Sequence, residues 1–193
     1  MARILFIDGG LHGKRGNTAQ FVNRFLTLLP KHVEIDYLEL ASCPDIAAEQ
    51  ERFQQADGFI FASGTYWQSW SHHAQRFFEQ ATYWEGTGIF LGKPVCTIIT
   101  MHSIGGAEVL SRAQNNFNLL GCLIPPMCCI AYSMVNQIAT EHSDNLDIWN
   151  EDSFPSIAHN LMAAIEHPNP YQTWDVASVE DTYAVWVKDE NKS

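Results

Sequence analysis

Residues 4–18 read ILFIDGGLHGKRGNT, a short apolar run that empties into a glycine-rich turn and then into an Asn-Thr pair placed to open a helix. Leu5, Phe6 and Ile7 form an unbroken apolar stretch, the pattern of a strand buried on both faces in a parallel sheet. The turn carries Gly9, Gly10, Gly13 and Gly16, which let the backbone bend sharply with its N–H groups inward. A helix expected from about Asn17 to Leu29 points its first-turn N–H groups and the positive end of its dipole at the same place. Asn17 and Thr18 add side-chain donors. Such a turn suits an anion, phosphate above all. The spacing matches neither the Walker loop nor the dinucleotide G-x-G-x-x-G. Read alone, the stretch has one alternative, a tight strand-to-helix connection without ligand.

Composition narrows the setting. The 193 residues, 46% of them hydrophobic, can bury one core, and no second full domain is needed. With 11 basic and 22 acidic residues the formal charge is −11, which opposes attraction to nucleic acid or to an anionic membrane surface, so neither is expected as a partner. There is no apolar run of spanning length, and Met-Ala-Arg leads straight into a strand instead of a secretory signal, so a cytoplasmic location is expected. Five cysteines, none in a Cys-x-x-Cys pair, fit reduced core thiols; neither a disulfide framework nor a metal or iron–sulfur site is expected.

Strand-like and helical segments alternate along the chain, the organisation of βαβ units. Val33, Ile35, Tyr37 and Leu38 suggest a second strand and residues 46–56 a short helix. Phe59 to Ala62 read as the third strand, followed by a helix from about Ser71 to Tyr83. Val95 to Thr100 make the fourth, followed by a helix from Ala107 to Leu120. A fifth strand is expected around Cys122 to Ala131, broken by Pro125-Pro126, and a last helix from about Phe154 to Glu166. The expected fold is therefore α/β, a flavodoxin-like doubly wound five-stranded parallel sheet with helices on both faces, its site formed by loops at the carboxyl edge. Residues 1–167 make up the domain and 168–193 a C-terminal tail.

Three of those loops have ligand-like composition. Besides the glycine turn, Ser63 to Trp70 (SGTYWQSW) sets small residues around aromatic ones, and Thr100 to Gly106 (TMHSIGG) is small, polar and glycine-rich where backbone must approach a ligand. An anion loop, an aromatic loop and a backbone-rich loop on one rim suit a flat heteroaromatic ring with a phosphate tail, as in flavin mononucleotide (FMN). Trp70 fits better as packing between the following helix and the sheet.

The stretches ILFIDGGLHGKRGNTAQF, ADGFIFASGTYWQSWSHHAQRFFEQ and GKPVCTIITMHSIGGAEVL together resemble the flavodoxin-like NADPH-dependent FMN reductase and NAD(P)H:quinone oxidoreductase superfamily, over about the first two-thirds of the chain. The resemblance implies that His12, Asn17 and Thr18, on the loop that includes Gly10, hold the FMN phosphate. It implies that Thr65, Tyr66, Trp67 and Gln68 line the isoalloxazine ring, and that Thr100, His102, Ser103, Gly105 and Gly106 contact its dimethylbenzene or pyrimidine side. The chain departs from the family pattern in having Gly10 for a common serine, His12 for a frequent arginine, Gly64-Thr65 for a common Ser-Pro, and a turn one residue longer.

The implied activity is transfer of a hydride from NADPH or NADH through bound FMN to a quinone or similar small electron acceptor, with chemistry supplied by the cofactor. No catalytic side chain is required; His102 is the candidate proton donor, with His72 and His73 nearby on the rim. A flavodoxin-type electron carrier and a flavin-free regulatory or interaction protein of the same fold are the alternatives. Tyr171, Trp174, Tyr183 and Trp186 in the tail need a surface to cover them, either their own domain or a second copy in a homodimer whose interface walls the rim.

Overall fold

The computed structural model describes residues 1–135, 138, 150–168 and 171–173. Its centre is a parallel sheet of five strands, β1 (Arg3–Asp8), β2 (Glu34–Glu39), β3 (Gly58–Gly64), β4 (Val95–Met101) and β5 (Cys129–Ser133), in spatial order β2-β1-β3-β4-β5. The strand order reverses between β1 and β3, which pair from Ile4 with Gly58 to Asp8 with Ala62. In doubly wound sheets the crevice beyond the carboxyl ends of two such strands is where ligands bind.

Side chains alternate along β1 as a strand covered on both faces requires. Leu5 and Ile7 join one core with Phe53, Phe61, Phe77, Trp84, Phe90 and Phe117. Ile4 and Phe6 join the other with Phe21, Val22, Phe25, Phe154, Ile157 and Leu161. The first core lies under α2 (Gln50–Gln55), α3 (His72–Ala81) and α4 (Gly106–Leu119), the second under α1 (Asn17–Leu26) and α5 (Phe154–Glu166). Helix α1 buries Thr18, Phe21, Val22 and Phe25, a stripe at spacings of three and four. Each aromatic so buried contributes about 1.5–3 kcal/mol.

The expected flavodoxin-like sheet is present, with the fifth strand and the end of α1 displaced from their expected positions. The fifth strand begins at Cys129 and ends at Ser133, not at Cys122 and Ala131. Proline lacks an N–H for the ladder, so the Pro125-Pro126 segment cannot pair continuously, and Leu123 makes only a single bridge to Pro94. Helix α1 stops at Leu26; Thr27, Leu28 and Leu29 close three-residue turns before Pro30, which disfavours helix in the residue ahead of it. Trp70 is buried against Phe78, with ring centroids 4.9 Å apart, and its indole N–H donates to Gln75 at 2.8 Å, so it packs α3 as expected.

Of the tail, residues 171–173 lie with Leu91 and residues 118–123 around a cavity of about 210 Å³. Leu123 pairs with the residue before β4, so this cavity is at the amino edge of the sheet. Trp174, Tyr183 and Trp186 fall outside the described residues. All five cysteines are free thiols. Among the described residues no helix is long and apolar enough to cross a membrane, and no cluster of His, Cys, Asp and Glu could hold a metal.

Candidate functional site

At the carboxyl edge the three loops enclose a cavity of about 370 Å³. Of the residues singled out in the sequence, Gly10, His12, Asn17, Thr18, Thr65, Tyr66, Thr100 and His102 line it. They come together because β1, β3 and β4 end side by side, each delivering its loop to one spot. The loops are tied to one another. Thr18 Oγ1 and Thr100 Oγ1 are 2.7 Å apart, the Thr65 N–H donates to the Thr100 carbonyl at 2.9 Å, and the Gly9 N–H to the Ala62 carbonyl at 2.7 Å. Ser71, the N-cap of α3, accepts from the Ala74 N–H at 3.1 Å and donates to the Gly9 carbonyl, so one hydroxyl fixes both a helix end and the glycine turn.

The anion end of the cavity is the start of α1. Its N-cap is Gly16, and no side chain caps the helix, so its first turn keeps its donors free of a side-chain cap where Gly16, Asn17 and Thr18 line the cavity. Arg15, exposed, lines the same wall. It supplies a cation close to the position where the family pattern has its frequent arginine, and the Lys-Arg pair inside the turn was its signal in the sequence. A flavin phosphate fits this end.

The glycine turn is less open to an anion than its composition implies. The Gly10 N–H is committed to Asp8, whose Oδ1 accepts it at 2.8 Å, so Gly10 shapes the wall without offering its donor. The Leu11 N–H donates to the Tyr66 hydroxyl at 3.2 Å. Tyr66 thus reaches across from the aromatic loop, with its hydroxyl oxygen 2.8 Å from where a Cβ on Gly64 would be. Asp8 is fully buried and its second oxygen accepts from the Tyr37 hydroxyl at 2.5 Å. Burial pushes the Asp8 carboxyl up from its ordinary pKa, against the lowering effect of the two donors; burial and this hydrogen bond push the Tyr37 phenol up as well.

The remaining expected residues lie beside the cavity, not on its wall. Trp67 and Gln68 form the corner of a tight turn closed by Tyr66 and Ser69, with backbone bonds of 2.7 and 3.0 Å. Both have positive φ, 51° and 62°, and the Trp67 indole is fully exposed. Gln68 packs against Gly105: a Cβ on Gly105, whose φ is 86°, would come within 2.9 Å of the Gln68 Cα. Ser103 is exposed. Gly106 is buried and its N–H points to the Met101 sulfur at 3.2 Å, so it serves the loop and not the cavity. Of the other two rim histidines, His72 is exposed, and His73 has a buried Nδ1 without a partner and a pKa lowered by burial, then by His72 and Arg76. Leu11, Gly64, Met101 and Met134 complete the wall without having been expected.

A second cavity, of about 170 Å³, shares Asn17, Thr100, Met101 and Met134 with the first and continues past Gln20, Phe21 and Arg24 to Tyr132. The hollow at the rim therefore extends past the anion end toward Tyr132.

The sequence model of the NADPH-dependent FMN reductase family matches residues 2–137. No curated protein matches the chain in sequence. Among solved structures, an oxidoreductase from Corynebacterium diphtheriae is similar with a TM-score of 0.67 at 14% identity, covering 87% of this chain and 99% of its own. A flavodoxin, WrbA-like protein from Agrobacterium tumefaciens is similar at 0.64 and 12%, covering 86% and 99%. The flavoenzyme NAD(P)H:(acceptor) oxidoreductase FerB from Paracoccus denitrificans is similar at 0.57 and 16%, covering 86% and 96%. At these identities the likeness is one of fold.

Proposed function

The chain belongs to the NADPH-dependent FMN reductase family, and from that premise we propose that it binds FMN at the three-loop rim and transfers a hydride from NADPH or NADH to a quinone or similar small acceptor. The observation that carries this reading is the convergence, on one cavity at the β1–β3 reversal, of an uncapped helix start with Arg15, Asn17 and Thr18 on one side and Thr65, Tyr66, Thr100 and His102 on the other. When bound, FMN supplies the capacity to take up and release a hydride. The α1 amides and Arg15 would hold the phosphate, Thr18 and Thr100 keep the anion loop and third loop in register, and Thr65 and Tyr66 would wall the space for the ring. On this reading His102, which lines the cavity, moves a proton to an acceptor oxygen at the rim. The adjoining space toward Tyr132 receives the nicotinamide or the acceptor. We assign the protein to the cytoplasm, as a homodimer in which a second copy covers the exposed Trp67, Ile104 and Met134 around the rim.

Titration of flavin-free protein with FMN, followed by flavin fluorescence, tests the binding half: quenching that saturates supports it, and none at high micromolar FMN ends it. A flavin-free interaction role has one observation in its favour, the Tyr66 hydroxyl and Asp8 carboxylate that occupy donors of the anion loop. The colour of the purified protein separates the two, since only the flavin-bound form is yellow.

A further inference from the structure

We infer that Asp8 sets the charge this anion loop accepts: a flavin 5′-phosphate binds together with one proton taken from solvent onto the Asp8 carboxylate, so Asp8 determines how strongly the chain prefers FMN to riboflavin. The inference rests on the proposed flavin reading.

Asp8 is the last residue of β1 and stands directly behind the loop. A Cβ placed on Gly10 would lie 3.0 Å from Asp8 Oδ1 and 3.6 Å from the Cβ of Thr18, so the carboxylate lies against Gly10, which with Thr18 in the first turn of α1 lines the cavity. Both oxygens accept hydrogen bonds, from the Gly10 N–H and the Tyr37 hydroxyl, which is the arrangement of an ionised carboxylate. A second acid stands beside it. Glu39 pairs with Asp8 across the β1–β2 ladder, its charge further disfavours ionisation of Asp8, and its carboxylate packs directly under Gly13, where a Cβ would clash with it.

The groups around Asp8 do not neutralise it directly. From β2 come Tyr37 and Glu39, and from β3 the apolar Ala62. The loop contributes Lys14, whose ammonium sits over the Tyr37 ring at 4.7 Å, with His12 and Arg15 on the cavity side; α1 contributes the Thr18 hydroxyl and α3 the Ser71 hydroxyl, which is turned to the Gly9 carbonyl. Among the described residues no cation forms an ion pair with Asp8 or Glu39. A phosphate dianion arriving at the α1 start adds like charge on the far side of Gly10, and burial already favours the neutral acid. Protonation needs no heavy atom to move. The proton goes to Oδ2, the Tyr37 hydroxyl rotates to accept it, and the Gly10 N–H stays bonded to Oδ1.

The test is isothermal titration of the FMN-free full chain with FMN, and with riboflavin as the phosphate-free probe, in buffers of different ionisation heat between about pH 5.5 and 8.5. The expected result is a maximum uptake of about half to one proton per FMN, close to none for riboflavin, and a bound-FMN phosphorus resonance that stays at the dianion position. Asp8→Asn, of the same shape, abolishes the uptake and tightens FMN about fivefold or more at the alkaline end, while riboflavin stays within about twofold. The inference is overturned by no FMN-linked uptake at any pH, by equal uptake with riboflavin, by a phosphate that is itself protonated, or by uptake that survives in Asp8→Asn. Should that variant fail to fold, the wild-type titration and phosphorus spectrum decide. Failure of both flavins to bind overturns the flavin reading and this inference together.

Discussion

Thr18, in the first turn of α1, and Thr100, at the end of β4, are 82 residues apart in the chain and hold their hydroxyl oxygens 2.7 Å from each other across the candidate site. The contact joins the anion loop to the third loop, and Thr18 is itself almost wholly buried. A phosphate at the α1 start would therefore be felt by a loop that borders the ring end of the cavity.

The anion end should respond to loss of its donors. The double change Asn17→Ala with Thr18→Ala should weaken FMN binding by about 1–3 kcal/mol, the scale of hydrogen bonds to a charged group. Arg15→Ala should weaken it in the same range while leaving riboflavin unaffected. Fluorescence titration reads both, and unchanged FMN affinity in all three positions would place the phosphate elsewhere.

Trp67 carries a large, fully exposed side chain at φ 51°. A left-handed backbone costs a non-glycine residue roughly 1–2 kcal/mol, so Trp67→Gly should raise stability by about 1 kcal/mol, after allowance for glycine's greater freedom when unfolded. Denaturant melts check this. A loss of stability would mean that the indole makes contacts that outweigh the strain.

Asp36 bridges two arginines at the outer strand. It bonds to Arg3 at 2.8 Å and to Arg52, whose Nε lies 3.0 Å away, and the Arg52 hydrogen bond, ahead of its charge and that of Arg3, draws the carboxyl below the ordinary aspartate range. A lowered folded pKa means stabilisation that is present above the unfolded value, near about 3.9, and is lost as pH falls through the folded one. Asp36→Asn should cost about 2 kcal/mol near neutral pH, the pair being only partly buried, and progressively less below about pH 4. A cost that does not shrink in acid would assign the effect to packing.

Phe61 lies at the centre of the first core, with ring contacts to Phe77, Phe78 and Phe117. Phe61→Ala should destabilise by about 3–5 kcal/mol, the range for a buried aromatic replaced by a cavity. A loss below about 1 kcal/mol in a urea melt would mean that the α3–α4 layer collapses onto the sheet without it.

The strands were legible wherever apolar residues ran unbroken. Leu5, Phe6 and Ile7, or Phe59 to Ala62, need cover on both faces, and the parallel sheet follows. The fifth strand was misplaced because Cys122 to Ile124 and Cys129 to Ala131 are equally apolar, and only the position of the edge of β4 decides between them. In the site, each loop was visible through its small and polar residues, but the pairing of donors was not. Leu11 is turned to Tyr66, 55 residues away, by a contact between loops that no local pattern encodes, whereas the Gly10 N–H bonds to Asp8 two residues back, a local aspartate turn that the Asp8-Gly9-Gly10 stretch offers. Met101 and Met134 reach the cavity through the ends of β4 and β5, where an apolar residue looks in the sequence like any other part of the core. Arg15 could have been read, since a cation inside a glycine turn has few other duties.

The central claim is that this rim holds a flavin that takes its hydride from a nicotinamide. The most direct measurement is the visible spectrum of the FMN-reconstituted protein mixed anaerobically with NADPH, and separately with NADH. Bleaching of the flavin band by at least one of them, and its return on adding a quinone, is the predicted result. A band that neither nucleotide bleaches, while dithionite does, would contradict it and identify an electron carrier.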